Sequence, residues 1–242
     1  MPGTEKRFLT AEWRDLVMLN YEVEPRILEK YVPGGTTLDA FQGKTYVSLV
    51  GFRFCRTKLF GALPVAFHSE FDEVNLRFYV SRNVGGEVRR GVVFIAEIVP
   101  RRAVAMTARV CYGENYVSRP MRHQISSEGG RIAAKYEWRV KNDWCSLMAE
   151  ATGEPELPRE GSLEQFITEH YWGYTARKDG GSLEYHVAHL PWRVWASSKA
   201  EFTGHASGLY GVELGGVLRG RASSAFIAEG SEVTVFSGNQ LD

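Results

Sequence analysis

The sequence predicts a mainly β fold of the β-rich α+β class, an antiparallel barrel that is closed or partly closed and carries two or three short helices. Three observations predict it. Apolar residues alternate along residues 71–80 with the two-residue period of a strand. Glycine turns such as NVGGE at residues 83–87 separate short apolar segments. Helix signals are few, and each belongs to a short segment.

The first hundred residues carry the clearest strands. They are predicted over residues 16–23, 44–56, 71–80 and 91–99. Residues 44–56 form the strongest candidate, because the segment is apolar on both faces over most of its length. A short helix is predicted over residues 23–33, where Pro25 suits the first turn and Pro33 ends it.

The rest of the chain mixes helices and strands. Residues 101–111 are alanine-rich without interior glycine or proline and predict a helix, and residues 162–172 predict another, with Ser162 and Gln165 at capping-box spacing. Residues 152–161 predict a loop. Further strands are predicted over residues 131–140, 183–189, 193–202, 216–227 and 232–236. We find no internal repeat and treat residues 1–242 as one domain.

Composition limits the classes of function. Lysine plus arginine equals aspartate plus glutamate at 29 each, so no global field attracts nucleic acid or an anionic membrane. The N-terminus lacks the apolar core of a signal peptide, and no apolar run has the roughly 20 residues of a membrane span. We therefore expect a cytoplasmic protein with no nucleic-acid or membrane partner, and we leave homo-oligomerisation open. Cys55, Cys111 and Cys145 lie too far apart for a disulfide framework or a zinc motif.

Several sequence blocks together resemble a known family. The blocks are LTAEWRDLVMLNYEVEP, TYVSLVGFRF, EVNLRFYVSRNVGGEVRRGVVFIAEIVP and FITEHYWGY. They resemble the bacterial domain-of-unknown-function family 2071 over nearly the whole chain, and that family shares a fold superfamily with acetoacetate decarboxylase. The order of a strand, a short helix ending in proline, an aromatic-x-Glu strand and a glycine turn carries the superfamily resemblance. It implies a barrel of the acetoacetate-decarboxylase-like type.

The resemblance also implies a missing nucleophile. Decarboxylases of this kind attack a ketone with a lysine amine whose pKa is lowered by burial and a neighbouring cation. When the decarboxylases' active segment is aligned with this chain, its lysine positions fall near residues 115–117, and Tyr116 and Val117 are the best match. Neither side chain can form a Schiff base. Glu73 corresponds to the superfamily's strand glutamate. None of the eight lysines lies in an apolar stripe, so we expect no Schiff base with acetoacetate.

Six residues form the candidate ligand-binding site. Glu73, Asn75 and Arg77 share one strand face, which either meets water, as in a half-exposed sheet, or lines the interior of a barrel. Three more lie where the resemblance places the superfamily's site: Arg109, Tyr112 and Tyr116. An arginine could hold a carboxylate through two parallel hydrogen bonds, and a tyrosine could donate a proton. The alternative is a surface ion pair with aromatic rings in the core.

Other charged residues have structural or catalytic interpretations. Glu97 and Arg53 lie in apolar strands, so we expect a buried ion pair, with each other as one pairing, or exposure at a strand end. The alternative is a catalytic acid with a shifted pKa. His186 and His189 are close in sequence, but their odd separation places them on opposite strand faces, so no metal is expected. Cys55 and Cys111 lie in apolar surroundings typical of inert thiols.

Three hypotheses remain for function. The first is a small-molecule enzyme of lyase or hydrolase type that uses Glu73, Arg109 and Tyr116. The second is a binding protein whose aromatic-lined cavity holds a small organic carbonyl or carboxylate compound without Schiff-base chemistry. The third is a structural or interaction protein with a closed cavity. We favour the second slightly, because no activated nucleophile, metal or cofactor motif is visible.

Overall fold

A computed structural model describes residues 6–60, 63–64, 69–100, 115–177 and 180–241. The described strands are β1 Arg7–Val23, β2 Thr37–Leu38, β3 Thr45–Leu59, β4 Leu63–Pro64, β5 Phe71–Val84, β6 Glu87–Val99, β7 Tyr116–Ser118, β8 Met121–Glu128, β9 Arg131–Val140, β10 Asp143–Thr152, β11 Trp172–Ala176, β12 Ser182–His189, β13 Val194–Ala196, β14 Lys199–Thr203, β15 Ser224–Phe236 and β16 Asn239–Leu241. The α-helices in these ranges are α1 Pro25–Leu28, α2 Leu163–Thr168 and α3 Ser207–Val217. A 3₁₀ turn, Glu29–Tyr31, follows α1.

The larger sheet curls into a ring. Its strands pair in the order β13-β15-β1-β3-β5-β6-β11-β12-β16, and β12 also pairs with β15. Pairing therefore runs around β15, β1, β3, β5, β6, β11 and β12 and returns to β15. The mainly β, barrel-like fold predicted from the sequence is confirmed. Most ladders are antiparallel as predicted, but β6 runs parallel to both β7 and β11.

The parallel pairings follow from the path of the chain. After β7, the chain leaves the ring to form β8, β9 and β10 of a second sheet, and it returns to the ring at β11. The later strand β14 completes the second sheet, whose order is β14-β10-β9-β8. Such a long excursion lets β11 approach β6 in the same direction, which a tight hairpin cannot do. Two short ladders complete the ring: Trp172 and Gly173 face Gly91 and Val92, and residues 187–189 face residues 233–235.

The second sheet packs against the outside of the ring over a shared apolar core. Side chains of β1, β3 and β5 meet Ile132, Tyr136, Trp138 and Leu147 there. A Cβ atom on Gly51 of β3 would lie 2.7 Å from a ring atom of Tyr136, so glycine permits this close approach. The Tyr136 hydroxyl donates a hydrogen bond of 2.9 Å to the carbonyl of Asp15.

Two predicted strands near the C-terminus differ from the structure. The strand predicted over residues 193–202 is two strands, because β13 pairs with β15 in the ring and β14 pairs with β10 in the second sheet. The strand predicted over residues 216–227 is wrong over its first eight residues, because α3 ends at Val217 and β15 begins at Ser224. Its last four residues belong to β15, which continues through the strand predicted over residues 232–236. Glycine-rich α3 forms because Tyr210, Leu214 and Leu218 bury one face of it. Strands β8 and β10 were not predicted.

Two of the three helix predictions are confirmed, although the helix predicted over residues 162–172 ends at Thr168 and Trp172 begins β11. The third lies outside the described residues. Pro25 occupies the first turn of α1, and the Ser162 hydroxyl accepts a hydrogen bond of 3.2 Å from the Gln165 amide at the start of α2. The Gln165 side chain accepts instead from the Gly161 amide, one residue earlier than in a capping box. The helix predicted over residues 101–111 falls in the segment that is not described. Among the described helices, none has the length and apolar character to span a membrane.

Candidate functional site

The ring encloses a cavity of about 200 Å³ with aromatic walls. The inner faces of β1, β3, β5, β6, β11 and β12 all contribute side chains to it. Trp13 anchors one wall, with its ring centroid 5.4 Å from that of Phe52 and 6.0 Å from that of Trp192. Phe54 and Phe71 stack at 4.5 Å on the adjoining wall. Such a space suits a small, partly apolar molecule.

Strand β5 carries a polar row along this cavity. Glu73, Asn75 and Arg77 line it and are 2%, 2% and 7% exposed. The intervening side chains, among them Val74 and Leu76, belong to the core shared with the second sheet. Both faces of β5 are therefore covered, one by the second sheet and one by the cavity.

The carboxylate end of the row is hydrogen-bonded to two side chains. The Asn75 amide donates to Glu73 Oε1 at 3.0 Å, and the Tyr116 hydroxyl donates to Glu73 Oε2 at 3.2 Å. Glu97 on β6 lies opposite both Asn75 and Tyr116 in the strand register, is 2% exposed and also lines the cavity. The structure thus brings Glu73, Asn75 and Tyr116 together, with Glu97 beside them.

At the cationic end of the row, Arg77 has no counter-charge among the residues that the structure describes. One terminal nitrogen of Arg77, Nη2, donates to the Ile167 carbonyl of α2 at 3.3 Å. Its Nε atom is buried without a hydrogen-bond partner, and within the described ranges no carboxylate forms an ion pair with the guanidinium. Burying a charge without such a partner is costly. An anion in the cavity would remove that cost.

His170 follows α2, also lines the cavity and was not among the predicted site residues. Its Nε2 lies 3.1 Å from Asp39 Oδ2, and Arg90 Nε donates to the same oxygen at 2.7 Å. Burial lowers the pKa of His170 to about 4, and the nearby Arg90 and Arg77 charges act in the same direction. Burial would raise the pKa of Asp39, but the hydrogen bonds from His170 and Arg90 outweigh it and lower that pKa.

The Asp39 contact assigns the tautomer of His170. A neutral imidazole next to a carboxylate carries its proton on the nitrogen that faces the carboxylate, here Nε2. Nδ1 is then a hydrogen-bond acceptor, and it is buried without a partner among the residues that the structure describes. No local pattern signals this arrangement, because Asp39 and His170 are 131 residues apart in the chain.

His189 is a second cavity histidine. Burial lowers its pKa to about 4, and its Nδ1 lies 2.9 Å from the Leu190 carbonyl. The ring stacks on Trp192 at 4.3 Å. His186 points to the other face of β12 and stacks on Trp172 and Phe236, as its sequence spacing predicts. In the described segments, no group of three His, Cys, Asp or Glu side chains could hold a metal ion.

The other site predictions have different outcomes. Arg109 and Tyr112 lie outside the described residues. The suggested pairing of Arg53 with Glu97 is wrong: Arg53 Nη1 lies 3.6 Å from Asp15 Oδ2. The physical reason is the strand period, which places Phe52 and Phe54 on the cavity side of β3 and Arg53 on the opposite side.

Lysine is not found on the cavity wall in the described part of the chain. Its lysines are exposed or half-exposed, and the segments that are not described contain one lysine, Lys178. Residues 101–114 contain none. The amine that Schiff-base chemistry needs is therefore missing from the described wall and from the segment that precedes Tyr116.

Solved structures of the same fold are similar over almost the whole chain. Acetoacetate decarboxylase from Legionella pneumophila subsp. pneumophila str. Philadelphia 1 gives a TM-score of 0.65 at 13% identity, covering 100% of this chain and 88% of that chain. An acetoacetate decarboxylase-like enzyme from Sphingomonas wittichii RW1 gives a TM-score of 0.67 at 12% identity, covering 97% of this chain and 93% of that chain. The enduracididine biosynthesis enzyme MppR, complexed with pyruvate, gives a TM-score of 0.63 at 12% identity, covering 97% of this chain and 90% of that chain. At these identities the likeness establishes the fold.

Sequence relatives establish the family. The uncharacterized protein YqjF of Bacillus subtilis (strain 168) is 27% identical over 186 residues, which are 74% of this chain and 72% of that protein. The family model DUF2071, described as an uncharacterized conserved protein, matches residues 10–231. The chain therefore belongs to the DUF2071 family and has an acetoacetate-decarboxylase-like fold.

Proposed function

We propose that the chain binds a small organic acid in the ring cavity without forming a Schiff base. The ligand is a carbonyl or carboxylate compound whose carboxylate lies against Arg77. The observation that carries this proposal is the buried guanidinium of Arg77, which lines the cavity and has no carboxylate partner in the described structure. A carboxylate would accept charge-assisted hydrogen bonds from it and balance its charge.

Two further features support an organic acid. The names of the structural neighbours include acetoacetate decarboxylase and an MppR complex with pyruvate, and both compounds are small oxo carboxylates. The aromatic walls formed by Trp13, Phe52 and Trp192 would hold the apolar part of the ligand. At the other end of the row, Tyr116 and Asn75 are donors that a carbonyl oxygen could share with Glu73.

One observation favours an enzymatic alternative. The Tyr116 hydroxyl is hydrogen-bonded to the buried carboxylate of Glu73, and a phenol beside a carboxylate can transfer a proton. A small-molecule enzyme with acid–base residues would use the same cavity and the same Arg77 contact. Turnover of a panel of small organic acids, followed by NMR, distinguishes this alternative from simple binding. The third hypothesis, a closed and filled barrel, is disfavoured by the cavity itself.

Calorimetric titration with pyruvate, acetoacetate and propionate tests the proposal. We expect binding to the wild-type chain and a loss of about 10- to 100-fold in Arg77→Met, since hydrogen bonds to charged groups contribute about 1.5–3 kcal/mol. Arg139→Met is the matched control, because Arg139 is exposed on β9 and distant from the cavity lining. Equal affinity of wild type and Arg77→Met would overturn the proposal.

Borohydride trapping tests the absence of Schiff-base chemistry. With labelled acetoacetate we expect no covalent adduct by mass spectrometry, because the described cavity wall carries no lysine. An adduct on a single lysine would contradict this expectation, and Lys178, outside the described residues, would be the first site to check.

A further inference from the structure

We propose that His170 determines specificity by accepting a hydrogen bond from a hydroxyl group beside the ligand's carboxylate, so that the ligand is a 2-hydroxy carboxylate. This inference rests on the proposed function, since it takes the carboxylate contact with Arg77 as given. It adds that the cavity recognises the hydroxyl group on the carbon atom next to that carboxylate.

Arg77 and His170 both lie near the C-terminal end of α2. The Arg77 guanidinium is held on the carbonyl of Ile167, three residues before His170 in the chain. The Tyr79 ring lies beside both groups, with its centroid 5.9 Å from Arg77 Cζ and 4.7 Å from the His170 ring centroid. Both side chains line the same cavity. In the proposed pose, the ligand's carboxylate contacts Arg77 and its next carbon atom points toward His170.

Nδ1 of His170 is built as an acceptor. Asp39 accepts from Nε2 and is itself fixed by Arg90, so the ring is held in one tautomer and one orientation. The side chain of His170 is 1% exposed, and Nδ1 has no partner in the described structure. The low pKa of the ring, about 4, keeps it neutral at physiological pH. Buried acceptors are as a rule hydrogen-bonded, and a donor on the ligand would satisfy this one.

The chemistry of the surroundings selects a hydroxyl. A 2-oxo group would place a second acceptor against Nδ1 and leave both unpaired. A 2-ammonium group could donate, but it would lie beside the charges of Arg77 and Arg90. Asp39, the carboxylate that contacts His170, is already paired with both His170 and Arg90. The hydroxyl donates without adding charge. A site built around a hydroxyl rejects analogues that lack it, because its own polar groups are left unpaired.

Two matched sets of acids test the inference by calorimetry at neutral pH. Lactate, pyruvate, propionate and alanine share a three-carbon skeleton, and mandelate, phenylglyoxylate, phenylacetate and phenylglycine add a ring for the aromatic walls. We expect the hydroxy acid of at least one set to bind at least about tenfold more tightly than its three analogues.

Variants of His170 separate specificity from folding. His170→Gln can keep a contact with Asp39 but loses the acceptor at Nδ1, so we expect the hydroxy acid to lose its advantage. His170→Asn places an amide oxygen near the position of Nδ1 and is expected to retain part of it. His186→Gln is the control, since His186 faces away from the cavity, and it should keep the full preference.

The outcomes separate this inference from the proposed function. If the wild-type chain binds all four acids of both sets with equal affinity, His170 does not select a hydroxyl and the inference is overturned, while binding at Arg77 stands. If it binds no acid of either set, the proposed function fails and the inference fails with it. Because the comparison uses the wild-type chain, it remains decisive even if a His170 variant does not fold.

Discussion

At the scale of single residues, Arg77 combines a stability cost with a role in binding. Replacing it with Met removes a buried charge that has no counter-charge in the described part of the chain, and it keeps most of the apolar stem. We expect ligand-free Arg77→Met to be as stable as wild type or more so in denaturant unfolding, since replacing buried charges by apolar groups is often neutral or stabilising, by about 1–4 kcal/mol.

A structural arginine should behave in the opposite way. Arg89 lies 2.5 Å from the buried carboxylate of Glu184, and its guanidinium stacks on Trp172 at 4.2 Å. Arg89→Met should therefore lower the free energy of unfolding. If Arg77→Met loses as much stability as Arg89→Met, then Arg77 is a structural residue.

His170 makes stability depend on pH. Its pKa is about 4 in the folded chain against 6.5 for the free side chain, so between these values the unfolded chain binds a proton that the folded chain does not. The contribution of neutral His170 to the free energy of unfolding is therefore complete above pH 6.5, and it is lost as the pH falls toward 4. In His170→Gln the unfolding free energy should fall less steeply over this window, by up to about 1.4 kcal/mol per pH unit. Parallel curves from denaturant titrations would contradict a neutral, buried His170.

The sequence could predict only part of the site at this scale. The strand period places Glu73, Asn75 and Arg77 on one face, but whether that face meets water depends on closure of the ring by strands about a hundred residues later. His170 was outside the reach of sequence reasoning for a related reason. Its significance depends on Asp39, and contacts of such long range leave no local periodicity.

At the scale of elements, α3 shows why the strand predicted over residues 216–227 failed. The segment SGLYGVELGGV is rich in glycine, which lowers intrinsic helix propensity and hides the helical period. The helix is stabilised by burial of Tyr210 and Leu214 against the core. Gly211 interrupts it with φ 82° and ψ 171°, a conformation open mainly to glycine.

Two glycines of α3 offer a matched pair of substitutions. Gly211→Ala should destabilise the chain by about 1–3 kcal/mol, because the new side chain has free space but the backbone conformation is strained. Gly216→Ala should be neutral or stabilising by up to about 1 kcal/mol, because Gly216 also has free space and has no positive φ. Thermal unfolding of both variants checks this, and equal effects would mean that the kink imposes no strain.

At the scale of the whole molecule, the resemblance predicted the barrel but not the second sheet. Strand β8 is largely exposed and shows no apolar alternation. Strand β10 buries Cys145, Leu147, Ala149 and Ala151 in alternation, but most of these side chains are small, so the pattern is weak in the sequence. The two sheets share one core, in which Tyr136 and Leu147 pack against β3. This shared core supports the prediction that residues 1–242 form one domain.

Cooperative unfolding tests that assignment. We expect far-UV circular dichroism and tryptophan fluorescence to change in one coincident denaturant transition, because unfolding either sheet exposes the core of the other. Trp13 and Trp192 report on the cavity, and Trp138 reports on the second sheet. Two separated transitions would show that the sheets are independent units.

The hairpin of β11 and β12 has a kinetic consequence. It is joined to its neighbours β6 and β15 by short ladders, and it carries Trp172, Tyr185 and His189 on the cavity wall. Segments held by few backbone hydrogen bonds open at a free energy well below that of global unfolding. If ligands pass through this opening, the observed association rate would level off at high ligand concentration, at the opening rate of the hairpin. A bound acid that contacts the hairpin would lengthen its own residence time by holding that exit closed.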